Sequence, residues 1–169
     1  MNGEVPTDGE LQVLALRTGE ALLRRRETAT VAESCTGGYV AKLLTDVAGS
    51  SAWFGFGFVT YSNEAKQRQL GVSPVTLETL GAVSERAVLE MAVGALAVSG
   101  AKRSVAISGI AGPDGGTAEK PAGLVWFSRA MRLDDGSVAA MALQRRFAGG
   151  RDDVRRRAAA YALELLSDP

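Results

Sequence analysis

Between residues 30 and 38 the chain reads Thr-Val-Ala-Glu-Ser-Cys-Thr-Gly-Gly, and no other stretch constrains the fold as strongly. A short β-prone run breaks into small hydroxyl and thiol residues, then two glycines, and an amphipathic helical pattern starts at Tyr39. That order predicts a strand, a tight turn and a helix. Ser34 and Cys35 then sit at the strand-to-helix turn, where a nucleophile is exposed and a helix N-terminus offers unpaired amide donors.

The same reading extends along the chain. Leu11, Leu14, Ala15, Thr18 and Leu22 recur at helical spacing and predict a helix over about residues 9–26. Strands are expected at 28–32 and 53–61, with a helix at 39–47 between them. In the second strand Phe54, Phe56 and Phe58 alternate with Gly55 and Gly57, which predicts an aromatic face that packs and a glycine face open to close approach. Short helices are expected at 63–70 and 74–80. Ser84 is placed to cap a helix running to about residue 98, with Val88, Met91, Ala92 and Ala95 inward. A strand at 102–108 runs into a glycine-bearing polar loop. Strands at 123–131 and 138–147 form a hairpin across Asp134-Asp135-Gly136. A helix over 152–166 closes the chain, with Val154, Ala158, Tyr161 and Leu165 on one face. Alternating helices and strands plus one hairpin predict α/β architecture: a single-domain, three-layer α/β/α sandwich with a mixed sheet over residues 9–167, after a flexible N-terminus at 1–8.

Composition narrows the chemistry. The chain has no histidine and one cysteine in 169 residues, which argues against a disulfide framework and a zinc site. Nineteen basic residues balance nineteen acidic ones, so no global field points to nucleic acid or an anionic membrane. No apolar run is long enough to cross a bilayer, the N-terminus lacks a signal-like core, and a cytoplasmic location is expected. Hydrolytic chemistry here must activate its nucleophile without imidazole, which leaves lysine, tyrosine or a carboxylate as the base.

Three segments share one grammar, a strand running into small and polar residues: 33–38, 61–66 and 108–113. In an open α/β sheet such ends gather along one edge, where ligands bind. Ser34 and Cys35 compete as nucleophile. A cysteine generally relies on histidine, whereas a serine can be partnered by a desolvated lysine, and Lys66 is the candidate. Against this, a lysine on a short helix is most often a solvated charge. Tyr61 is read either as a proton relay or substrate contact, or as a strand aromatic half in the core. Ser108 and Gly109 could aim a hydroxyl and amides at an oxyanion or phosphate. Arg151 stands at the start of the last helix, where a cation opposes the macrodipole, and this suggests an anionic group on the substrate. Arg155, Arg156 and Arg157 read as a solvated face.

Together the segments 32–38, 61–66, 81–85, 108–113, 120–123 and 150–151 resemble the C-terminal domain of the competence-damage-inducible protein CinA, the nicotinamide-nucleotide amidohydrolase family. The pieces follow the family order across almost the whole chain, which is similar to the stand-alone form rather than to two-domain members. The resemblance implies hydrolysis of nicotinamide mononucleotide to nicotinate mononucleotide and ammonia. It implies Ser34 as nucleophile, Lys66 as base and Tyr61 as an assisting hydroxyl. Substrate binding would fall to Thr36, Gly37, Gly38, Asn63, Ser108, Gly109, Gly112 and Arg151, with amides after Thr36 and Gly109 holding oxyanion and phosphate. Position 108 is Ser where relatives can carry Thr. No metal or cofactor is implied, and a homodimer is expected. The competing reading is a non-catalytic nucleotide-binding or regulatory module of the same fold, although such a module has no need of Ser34, Tyr61 and Lys66 together.

Overall fold

A computed structural model describes residues 4–168. Five strands form one sheet: β1 (Ala29–Glu33), β2 (Phe54–Val59), β3 (Arg103–Gly109), β4 (Leu124–Arg132) and β5 (Val138–Arg146), in the order β2-β1-β3-β4-β5. β1 runs parallel to both β2 and β3, while β4 and β5 add antiparallel, so the sheet is mixed as expected. Every residue of β1 is buried, as a central strand covered on both faces requires.

Helices cover both faces. On one lie α1 (Asp8–Arg25), α2 (Tyr39–Thr45) and α6 (Arg151–Ser167), packed around Leu11, Leu22, Val31, Leu44, Ile107 and Leu163. On the other lie α3 (Asn63–Leu70), α4 (Pro74–Thr79) and α5 (Glu85–Ser99), packed around Ala32, Leu70, Met91, Leu96 and Ala106. From β1 the chain steps one way through α2 to β2, then back past β1 through α5 to β3. Opposite steps put right-handed crossovers on opposite faces, and this makes the third layer.

The helix boundaries follow local chemistry. Thr7 and Glu10 form a reciprocal capping box at the start of α1, and Ser62 and Ser84 cap α3 and α5 by accepting from the amides of Ala65 and Ala87. Of the segment 1–8 expected to be flexible, residues 1–3 lie outside the described residues. Pro6 and Asp8 are both held by Arg156, through the Pro6 carbonyl at 2.7 Å and an ion pair at 2.6 Å.

Two packing expectations need correction. Phe54, Phe56 and Phe58 do not share a face. A register shift pairs Ala29 with Phe54 but Thr30 with Phe56, so Phe54 joins the α1/α2/α6 core and Phe58 the α5 side. Phe56 is half exposed on the sheet edge and stacks on Phe58. The space at Gly57 is filled from within, since a Cβ there would lie 3.0 Å from that of Ala41 on α2. The arginines 155–157 are likewise half-buried rather than a solvated face. Arg155 donates to the Thr36 carbonyl, Arg156 holds the N-terminal segment, and Arg157 donates to the Ala148 carbonyl.

Candidate active site

The carboxyl ends of the three parallel strands meet in register. Glu33 pairs with Val59 on one side and Ile107 on the other, so the next residues, Thr60, Ser34 and Ser108, form a row of hydroxyls across the sheet edge. Side chains alternate along strands. Ala32, Phe58 and Ala106 face the α5 layer, and two residues on, Ser34, Thr60 and Ser108 fall on that side too. Glu33 falls on the opposite side, toward α2.

Lys66 comes to this row from the first turns of α3. Its Nζ lies 3.0 Å from Ser34 Oγ, 2.7 Å from the Thr60 carbonyl and 3.4 Å from that of Tyr61. The side chain is 1% exposed and makes no ion pair among the described residues. Burial without a counter-charge penalises the ammonium and holds the pKa down to about 8. A neutral amine has two protons for the two carbonyls and one lone pair left for the Ser34 hydroxyl. Cys35, next in sequence, is buried, and desolvation pushes its thiol up to about 12. It is a thiol rather than a thiolate at neutral pH, without the ionised sulfur on which a cysteine nucleophile relies.

The cleft over this row has a volume of about 330 Å³. Ser34, Cys35, Tyr61, Lys66 and Ser108 line it, with Ala82 and Val83 from the loop before α5, the 109–112 turn, residues 114–116 and Arg151. Arg151 donates to the Gly112 carbonyl and to the Tyr61 hydroxyl, both at 3.1 Å, so its guanidinium spans the mouth between two oxygens, neither a carboxylate. The Tyr61 side chain is exposed, and its hydroxyl bonds to Arg151 rather than to Ser34 or Lys66. Ser108 Oγ is buried and has no partner among the described residues, a costly arrangement for a hydroxyl in a cleft wall unless a ligand completes it. Gly109 is required by packing: a Cβ there would lie 2.7 Å from the Leu124 carbonyl oxygen.

Four expected binding residues do not line the cleft. Asn63 is exposed on the first turn of α3, and Thr36, Gly37 and Gly38 belong to the turn after Ser34 but not to the cleft wall. The amides at the start of α2 are also already taken. The fully buried Glu33 carboxylate accepts from Gly38 at 3.0 Å, Val40 at 3.2 Å and Ala41 at 2.8 Å. The α2 N-terminus therefore has no free donors for an oxyanion or phosphate. Sequence reasoning passed over Glu33. The available signal was a carboxylate beside a turn that ends in two glycines and a helix start.

Comparison with known proteins agrees with this architecture. The family model for the CinA C-terminal domain matches residues 11–169, and the chain belongs to that family. It is 57% identical over 162 residues to the nicotinamide-nucleotide amidohydrolase PncC of Escherichia coli K12, covering 95% of this chain and 94% of the relative. The Pseudomonas putida protein of the same name is 49% identical over 156 residues, with 92% and 94% covered. The crystal structure of the competence/damage inducible protein CihA from Agrobacterium tumefaciens superposes with a TM-score of 0.87 at 44% identity, covering 97% of this chain and 96% of that one.

Proposed function

We propose that this protein hydrolyses the carboxamide of nicotinamide mononucleotide, giving nicotinate mononucleotide and ammonia. The names of the relatives support the substrate. The observation that carries the mechanism is the 3.0 Å approach of a buried lysine amine, its pKa down to about 8, to a cleft-lining serine.

In this reading Ser34 Oγ gives its proton to neutral Lys66 and attacks the carboxamide carbon. The tetrahedral intermediate collapses as Lys66 returns the proton to the departing nitrogen, releasing ammonia and leaving a nicotinoyl ester on Ser34. Water, deprotonated by the same amine, attacks the ester carbon, and the protonated Lys66 reprotonates Ser34 as the acid leaves. As written, the cycle consumes only water. Ser108 offers its unpartnered hydroxyl to the carboxamide, and Tyr61, held by Arg151, is the assisting hydroxyl at the mouth. The phosphate is assigned to Arg151 and the glycine-bearing loop at 112–116, because the α2 amides are occupied. The same reading includes a homodimer, checked by light scattering at micromolar concentration.

The direct test incubates purified protein with nicotinamide mononucleotide and follows ammonia together with the one-dalton mass gain of the acid product. Turnover by the parent and none by folded Ser34→Ala is the expected result. Tight binding of the mononucleotide without ammonia release would return the chain to the binding-module reading.

A further inference from the structure

Ser34 lines the cleft from a turn with no regular structure of its own, and what holds that turn is visible in the geometry. It spans residues 34–38 between the last residue of β1 and the first of α2. Within it, the Gly37 amide donates to the Ser34 carbonyl at 3.1 Å and the Tyr39 amide to that of Thr36 at 3.3 Å. Gly38 takes a left-handed backbone, φ 91°, to enter the helix. These contacts close the turn on itself, while the Ser34 amide donates to the Ile107 carbonyl on β3 at 3.0 Å and Arg155 of α6 donates to the Thr36 carbonyl at 2.9 Å.

Glu33 ties the far end of the turn back to β1. It sits in β1, bonded in register to strands on both sides, and its carboxylate accepts from three of the four amides where α2 begins, those of Gly38, Val40 and Ala41. Residues 34–37 are thereby clamped at both ends by one side chain. Among the described residues its carboxylate bonds to nothing else. α2 is only seven residues long and has no side-chain cap of its own.

We propose that Glu33 is a positioning residue for the nucleophile: by bridging β1 to the start of α2 it fixes the turn that aims Ser34 Oγ at Lys66. This rests on the reading of Ser34 as nucleophile. A carboxylate is uniquely suited here, because all its lone pairs accept. In Glu33→Gln one oxygen becomes an NH2 that must face a backbone N–H, so one end of the clamp opens at nearly unchanged volume. A misplacement on the order of 1 Å costs about a hundredfold in rate.

The test compares Glu33→Gln and Glu33→Asp with the parent on nicotinamide mononucleotide, well below each thermal midpoint, and adds the labelling rate of Ser34 by a fluorophosphonate probe. Glu33→Gln is expected to lose about ten- to a hundredfold in kcat with KM within about twofold, and labelling should slow in parallel. Glu33→Asp keeps the charge on a shorter arm and should fall between the two, which keeps the idea testable if the glutamine variant does not fold. Thr18→Val is the control. It removes a buried hydroxyl bonded to the Leu163 carbonyl in the α1–α6 contact, lowering stability without touching the turn, and should leave kcat and labelling unchanged. A folded Glu33 variant with parental kcat and labelling, or one that changes KM alone, overturns the proposal while leaving Ser34 as nucleophile. An active Ser34→Ala instead overturns the function reading beneath it.

Discussion

At pH 7 a lysine with the ordinary pKa of 10.5 offers a neutral amine in about one molecule in 3,000. Burial that brings Lys66 to about 8 raises this to about one in eleven, a gain of ~300-fold in competent base. The sign follows directly. A general base acts unprotonated, so kcat/KM should climb about tenfold per pH unit from pH 6, reach half its maximum near pH 8 and level off above it. Lys66→Arg removes the titration, because a guanidinium stays protonated and cannot take the serine proton. General-base catalysis contributes about 10²–10⁴-fold, and the arginine variant should lose that much with no rising limb left. The assay is initial-rate ammonia release between pH 6 and 9.5, with circular dichroism at each pH to confirm that both proteins stay folded. A profile flat across this range, or a Lys66→Arg enzyme with near-parental rates, would refute the assignment of Lys66 as base and reduce it to a buried charge.

Ser34→Ala should abolish turnover while Cys35→Ala keeps most of it, since the buried thiol at about 12 is not ionised; the reverse pattern in folded variants reassigns the nucleophile. Arg151→Ala should lower kcat/KM on the mononucleotide by about ten- to a hundredfold, the value of one charge-assisted contact, and harm the phosphate-free riboside much less. Arg151 also braces Tyr61 and Gly112, so equal losses on both substrates would make bracing its whole role and place the phosphate elsewhere. Gly94→Ala tests the seat of α3: a Cβ there would lie 1.9 Å from the Leu70 carbonyl oxygen, and α5 must push away the helix that carries Lys66. Unfolding in urea should show a loss of about 1–3 kcal/mol, with reduced kcat in the protein that remains folded. A variant as stable and active as the parent would show that α3 is seated by other contacts.

The sequence alone determined the elements, the three-layer class and the sheet edge where the three polar strand ends gather. Periodicity and caps are local, and the predicted helix at 63–70 coincides with α3, while Ser84 caps α5 as expected. The missing histidine narrowed the candidates for a base to very few side chains. Local signals, however, report which residues of an element share a face, not what covers that face. Lys66 reads as a solvated charge because α3 is polar almost throughout; its burial, and with it its pKa, comes from the loop after β2 and the packing of α3 on α5. Glu33 reads as one more strand residue until α2 is laid over it with three amides to satisfy. A one-residue register shift sends Phe54 and Phe58 to opposite faces, and no count of alternating aromatics can reveal it. Desolvation, the satisfaction of buried donors and strand register are all properties of pairs far apart in the chain, so only the tertiary structure could decide them.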